Sequence, residues 1–293
     1  MQLLLVELGA EFRMSAARPA DLTLAQPLRA GSFIVTLFGD VVAPRGGDVW
    51  IGNIIEFCAP FGISETLIRT AMSRLVAAGQ LTGVRKGRRS FYRLTEAARH
   101  EYAEAASIIF SPASATEWQL VFSPRGQMGL PRHLDFVALN DSFALGPSDG
   151  CVPDECCTLA GQFTGGAEAL YQMARTVWAL DVLEQDCARF LGLAARIREL
   201  GPLPGDQALE ARVLLVHAFR QIALRDPRLP VAVFPPDWAG FRARQSFARV
   251  YLDLSLSADS HVAENFAGAN GPLRDLSQDG IGRYRALQES AAG

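Results

Sequence analysis

The sequence has 293 residues, a formal net charge of −3, 49% apolar residues and 20% charged ones. That length holds two or three domains, and that composition excludes extensive disorder. No stretch approaches the roughly 18–20 apolar residues needed to cross a bilayer, so a membrane-spanning protein is not expected.

The opening stretch, "MQLLLVELGAEF", is apolar but has no basic leader. Glu7 interrupts it and no small-residue cleavage site follows. We therefore read it as a short helix, an arm, or an extension upstream of Met14, and not as a signal peptide. Residues 28–61 predict two helices with a break between them. Ile34, Val35, Leu37, Phe38 and Val41 form an apolar stripe that Pro44, Gly46 and Gly47 end, and Ile51, Ile54, Ile55 and Phe57 form a second.

"GISETLIRTAMSRLVAAGQL" predicts a third helix. Ser64 is an N-cap residue, Glu65 suits the positive end of the helix dipole, and Gly79 closes it. Leu67, Ile68, Ala71, Met72, Leu75 and Val76 are expected on its core side, with Thr66, Arg69, Thr70, Ser73 and Arg74 opposite. Beyond the first turn that exposed side carries no acid, whereas a merely solvated helix interleaves glutamates with its arginines. Leu81–Arg85 and Ser90–Leu94 then predict two short strands around Lys86-Gly87-Arg88, and Thr95 caps a helix over "EAARHEYAEAASIIF".

Three helices followed by a hairpin describe a winged helix-turn-helix, whose third helix enters a major groove while the hairpin tip reaches the backbone. Residues 64–93 hold seven cations and one acid, a local net of +6 in a chain of −3, so the other residues carry −9. A basic stripe on an acidic body is the footprint of a surface that meets a polyanion. The expected contacts with double-stranded DNA are Ser64, Thr66, Arg69, Thr70, Ser73, Arg74, Arg85, Lys86, Arg88 and Arg89. Their binding should weaken steeply with salt.

Downstream, residues 117–123, 135–145 and 157–163 predict the strands of a small α+β unit. Residues 165–200 predict one long helix, with Leu170, Met173, Val177, Leu180, Leu183, Cys187 and Leu191 as either core or dimer seam. A further helix is expected over 207–225, and the Gly-, Ala- and Ser-rich tail after about 267 is expected to be loose. His217, Arg220, Arg225 and Arg228 are candidates for an anion or ligand pocket, the guanidinium being well matched to phosphate. The alternative is a buried, satisfied His217 and a local Arg225–Asp226 cap.

The five cysteines, Cys58, Cys151, Cys156, Cys157 and Cys187, lack zinc-site spacing and are expected as free thiols in a reducing, cytoplasmic compartment. His100, His133, His217 and His261 lie far apart and no nucleophile-elbow pattern occurs, so neither a metal site nor an enzyme is expected.

The motifs "TLFGD", "PRGG", "GISE", "RTAMSRL" and "GRRSFYRLT" occur together and in order over residues 32–95, and this stretch resembles the amino-terminal domain of the PaaX family of bacterial transcriptional repressors. "HAFRQIALRDPRLP" and "FPPDWAGFRAR" are similar to that family's carboxy-terminal domain. "WQLVFS" and "VWALDVLEQDCARFL" resemble the edges of its ferredoxin-like, Cas2-related middle domain.

The resemblance implies a multidomain α+β chain. A winged helix-turn-helix would span 28–110, a ferredoxin-like middle domain 115–175, a mainly helical ligand and dimerisation domain 176–267, and a loose tail 268–293. It further implies a homodimeric repressor of an aromatic-acid (phenylacetate-type) operon, released by an acyl-CoA thioester such as phenylacetyl-CoA, and needing no cofactor. A Cas2-like nucleic-acid processing enzyme is the alternative. It would need an acid at the end of the first middle-domain strand, which instead closes as "VFSPRG".

Overall fold

The computed structural model describes residues 18–22, 27–110, 117–124, 136–148 and 152–292. Helix α1 (Ala30–Leu37) continues into a π-turn (Phe38–Val42) and a 3-10 turn (Ala43–Arg45), and it buries Phe33, Ile34, Leu37, Phe38 and Val41. Gly46, at φ +62°, turns the chain out of this run, as the "PRGG" punctuation anticipates. A two-residue strand that periodicity does not signal follows, β1 (Val49–Trp50), leading into α2 (Ile51–Cys58).

Helix α3 (Glu65–Ala77) starts where its cap places it, the Ser64 hydroxyl accepting the Leu67 N–H at 3.4 Å. Strands β2 (Leu81–Lys86) and β3 (Arg89–Leu94) pair antiparallel, with Leu81 opposite Leu94 and Lys86 opposite Arg89. β1 adds to the far edge of β3, so the sheet order is β1-β3-β2. The Thr95 hydroxyl accepts the Ala98 N–H at 3.2 Å and opens α4 (Glu96–Phe110).

The core side of α3 is narrower than its periodicity predicts. Ile68, Ala71 and Met72 are buried and Leu75 is half-buried, but Leu67 is 55% exposed and Val76 39%. Only one side of this short helix is covered, so its flanking apolar residues stay in water.

Four strands form a second sheet: β4 (Trp118–Phe122), β5 (Val137–Ala138), β6 (Phe143–Pro147) and β7 (Cys157–Gly161), in the order β5-β6-β4-β7. Every neighbouring pair is antiparallel. The single strand expected over 135–145 is divided, because the Asn140 side-chain oxygen accepts the N–H groups of Ser142 and Phe143, both at 2.9 Å, and closes a turn. The described part of the β6–β7 connection, 148 and 152–156, has no helix or strand, and Cys151 and residues 125–135 lie outside the described residues.

The long helix expected over 165–200 is two, α5 (Ala167–Trp178) and α6 (Leu180–Glu199). They are hinged at Ala179, whose φ of +49° is left-handed and ends the first helix. Leu180, Leu183 and Cys187 are buried, so this part of the stripe is core. Helices α7 (Gly205–Ala223) and α8 (Ala239–Asn265) pack together, and a small hairpin of β8 (Ala267–Gly268) and β9 (Gly271–Pro272) follows.

The tail is not loose. Helix α9 (Gln278–Ala292) packs on α8 with Leu287 buried, and Leu273 is buried just ahead of it. Its amphipathic residues are sparse, and their partners lie far away in sequence. Among the described residues no helix is long and apolar enough to cross a membrane.

One apolar cluster runs from Phe33 and Ile34 of α1 to Val213 of α7, Phe247 of α8 and Leu287 of α9, and a small second one, Val121 and Ala144, lies in the four-stranded sheet. The boundary expected at residue 110 therefore does not separate two cores. A buried polar knot crosses the same seam. Arg212 of α7, fully buried, donates to Asp40 Oδ2 at 3.0 Å and to Asp259 Oδ1 at 2.8 Å. Tyr251 donates to Asp40 Oδ1 at 2.8 Å, Arg45 to Asp259 Oδ1 at 2.9 Å, and the Tyr284 hydroxyl to the other Asp259 oxygen. Burial, the largest single influence, lowers the Arg212 pKa, but Asp40, Tyr251, Asp259 and Tyr284 together more than reverse that, so the guanidinium is held charged.

Candidate nucleic-acid interface and interior pockets

All ten residues expected to meet DNA are exposed. On α3, Thr66, Thr70 and Ser73 lie on the side away from Ile68 and Met72, flanked by Arg69 and Arg74. Leu67, expected in the core, is instead exposed beside this side of the helix. Arg69 is engaged by Glu65 one turn earlier, Nε and Nη2 both 2.7 Å from Oε1. An exposed pair of this kind is worth no more than about 1 kcal/mol, so it does not keep Arg69 from another partner.

Helix α3 packs against β2, which joins the helical cations and the hairpin in one head. At the hairpin tip Gly87 takes φ +60°, the conformation that the two-residue connection requires. Arg85 Nε donates to the Gly87 carbonyl at 3.2 Å, and the Arg89 guanidinium lies 4.6 Å from the Trp50 ring. Lys86 is committed in part to the protein itself: its ammonium donates to Asn270 Oδ1 at 2.6 Å and to the Ala269 carbonyl at 3.1 Å. No local pattern signals that contact, because Asn270 is 184 residues away.

Of the four residues expected to share a ligand pocket, His217 and Arg220 meet at the Thr36 hydroxyl, while Arg225 and Arg228 pair elsewhere. His217 is buried and faces α1, with Nδ1 2.8 Å from the Thr36 hydroxyl and its ring edge-on to Phe33 at 5.3 Å. Arg220 Nη1 reaches the same hydroxyl at 3.0 Å and the Ser32 carbonyl at 3.3 Å. Arg225 is exposed and pairs with Asp186. Arg228 sits in a left-handed turn, φ +53°, where its N–H donates to Asp226 Oδ1 at 2.8 Å. Sequence spacing places His217 and Arg220 on one helix side correctly, but that side is the seam with α1.

Burial, ahead of the neighbouring Arg220 charge, pushes the His217 imidazole down from 6.5 to about 4. Between these pH values the unfolded chain binds a proton that the folded chain refuses. Stability from this group is therefore complete above pH 6.5 and is lost as the pH falls toward 4. The shift corresponds to about 3 kcal/mol. A His217→Asn variant should show a shallower fall in unfolding free energy over that window than the parent, measured by urea titration at each pH.

Two cavities adjoin this seam. The smaller, of about 210 Å³, lies between α1, α4 and α7 and is lined by Val35, Gly39, Tyr102, Phe110, Val216 and Arg220. The larger is an open cleft of about 790 Å³ that shares Glu101, Ala105 and Leu224 with it. The cleft's charged lining is Glu101, Glu104 and Asp226 against Arg225 alone, which does not complement a polyphosphate.

Among the described residues no group of three or more His, Cys, Asp or Glu is placed to hold a metal ion. Burial pushes the Cys58 and Cys187 thiols up to about 12.

These features define a mixed α+β protein in which a cationic, hairpin-bearing head is locked by a buried polar knot to a largely helical body. The family model described as PaaX-like protein matches residues 29–98, and that described as PaaX-like protein C-terminal domain matches 178–264; together they cover more than half of the sequence. The chain belongs to the PaaX-like family. It is 28% identical over 282 residues, 85% of this chain and 88% of the relative, to the transcriptional repressor PaaX of Escherichia coli (strain K12). Among solved structures it is similar to the uncharacterized protein Rv0674 from Mycobacterium tuberculosis. That match has 22% identity and covers 79% of this chain and 98% of that one, with a TM-score of 0.48.

Proposed function

We propose that this chain is a DNA-binding transcriptional repressor whose reading head, residues 28–110, is a winged helix-turn-helix. The observation that carries the reading is the exposed set of α3 and hairpin-tip cations, on a head with helix order and strand pairing suited to groove insertion. Ser64, Thr66, Arg69, Thr70, Ser73 and Arg74 would address the groove, with Arg85, Lys86, Arg88 and Arg89 on the flanking backbone. The order β5-β6-β4-β7 with all-antiparallel pairing supports a ferredoxin-like middle sheet. Residues 176–267 supply the helical body, and the assembly is a homodimer acting in the cytoplasm.

Release by an effector is proposed at the α1–α4–α7 cavity, where an aryl group would meet Tyr102 and Phe110 and press on α1 directly. Arg220 is the pocket's candidate anchor for a carbonyl or carboxyl oxygen. His217 lies behind it, and Arg225 and Arg228 are outside this cavity's lining. An acyl-CoA of the phenylacetyl-CoA type, controlling a phenylacetate-type operon, is the class the family likeness implies. The acidic rim of the adjoining cleft gives no support for holding the CoA phosphates there. A Cas2-like processing enzyme is not favoured, since the relative that aligns over most of the chain is named as a repressor.

Fluorescence anisotropy with duplexes tiled across the DNA upstream of its own gene, over a salt series, tests the reading. Affinity should fall with a log–log slope near −0.9 for each phosphate contacted. Phenylacetyl-CoA, phenylacetate and CoA, added separately, should be distinguished by which one releases the duplex. Absent or salt-insensitive binding overturns the proposal.

A further inference from the structure

We propose that the hairpin after α8, with Arg274 behind it, extends the DNA-binding surface past the wing, Arg274 and Arg93 forming a seat for one further backbone phosphate. The inference rests on the head being a DNA reader. The hairpin is far from the head in sequence but fastened to it at three points. Asn53 Oδ1 accepts the Ala267 N–H at 2.9 Å, Asp48 Oδ1 accepts the Ala269 N–H at 2.7 Å, and Lys86 donates to Asn270. An ammonium has three donors, and these contacts use two of those of Lys86, which leaves one for a phosphate oxygen.

Between the hairpin and the "PRGG" loop lies a cleft of about 260 Å³ whose charged lining is Arg93, Arg274 and Asp48. Its walls are lined by Gly46, Gly47 and Gly268. A Cβ on Gly268 would stand 3.1 Å from the Asp48 backbone and carboxylate oxygens, so a side chain there would crowd Asp48. Asp48, the one acid there, already accepts the Ala269 N–H, whereas Arg93 and Arg274 are exposed and in no ion pair among the described residues. Two guanidiniums against one carboxylate, in a cleft walled by three glycines beside a wing lysine, suit an anion of phosphate size.

The test uses the full chain and a random-sequence 30-bp duplex, comparing wild type, Arg274→Ala, Arg93→Ala and, as the wing control, Arg88→Ala across a salt series. Arg274→Ala and Arg93→Ala should each lower affinity about 3- to 10-fold at low salt and reduce the salt slope by about 1, with unchanged melting temperature. Wild-type affinity for Arg88→Ala-sensitive DNA, undiminished in both cleft variants, overturns this inference alone. Loss of affinity with an unaltered salt slope makes the hairpin a mere buttress and also overturns it. Displacement of the duplex by free CoA in wild type but not in Arg274→Ala would assign the cleft to an effector phosphate, again against the proposal. No duplex binding by wild type overturns both this and the repressor reading.

Discussion

Replacing Arg212 with alanine is expected to destabilise the protein by about 3–5 kcal/mol, because it leaves Asp40 buried without its partner. Asp40 is itself almost fully buried, and Arg212 is its closest cation, at 3.0 Å; Arg283 stands further off, at 3.8 Å. For a chain of this size the loss corresponds to a drop of roughly 10 °C in melting temperature, read by calorimetry. Arg212→Lys should recover little, since one ammonium cannot span Asp40 and Asp259 with the fork geometry of a guanidinium. Pairing Arg212→Ala with Asp40→Asn should cost less than the sum of the two single changes, by about 1–3 kcal/mol, because the stranded charge is gone. A cost below 1 kcal/mol for Arg212→Ala would show that the knot contributes nothing that water does not replace.

Arg88→Ala should weaken binding to every duplex alike and reduce the salt slope by about 1, whereas Arg69→Ala should change which duplexes are preferred. The distinction follows from position. Arg88 is at the tip of the wing, beyond the paired strands, and on the proposed docking would meet the backbone. Arg69 flanks the hydroxyl side of α3 and need only leave Glu65, an exposed partner, to reach a base edge. A bidentate contact to guanine is worth about 1–3 kcal/mol of discrimination, so one position of the motif recovered from random duplexes should lose its preference. Equal losses on all sequences for Arg69→Ala would move that residue to the backbone class.

The head was legible because its signals are local. Ser64, Gly79, Gly87 and Thr95 punctuate the chain where the capping and turn chemistry says they should, and the structure places a boundary at each. The coarse α+β class followed from the same alternation of periods. What escaped depends on partners remote in sequence. Whether Leu67 or Ile68 is covered is decided by how much of α3 the neighbouring elements reach, which periodicity does not encode. The tail reads as loose from composition, yet Tyr284 finds Asp259 and Leu287 finds the core. His217 and Arg220 carry ligand-like chemistry in sequence, and nothing local signals that the fold also sets their side of α7 against Thr36 of α1.

The seam between α1 and α7 also sets what can be transplanted. A gene fragment ending at Phe110 would strip one side of α1, baring Phe33 where His217 covers it and leaving Asp40 without Arg212. Such a piece would carry an apolar patch with an unmatched carboxylate inside it, a recipe for clumping and not for a portable DNA reader. Chimeras that exchange reading specificity between family members should therefore keep the native body and graft only the water-facing residues of α3.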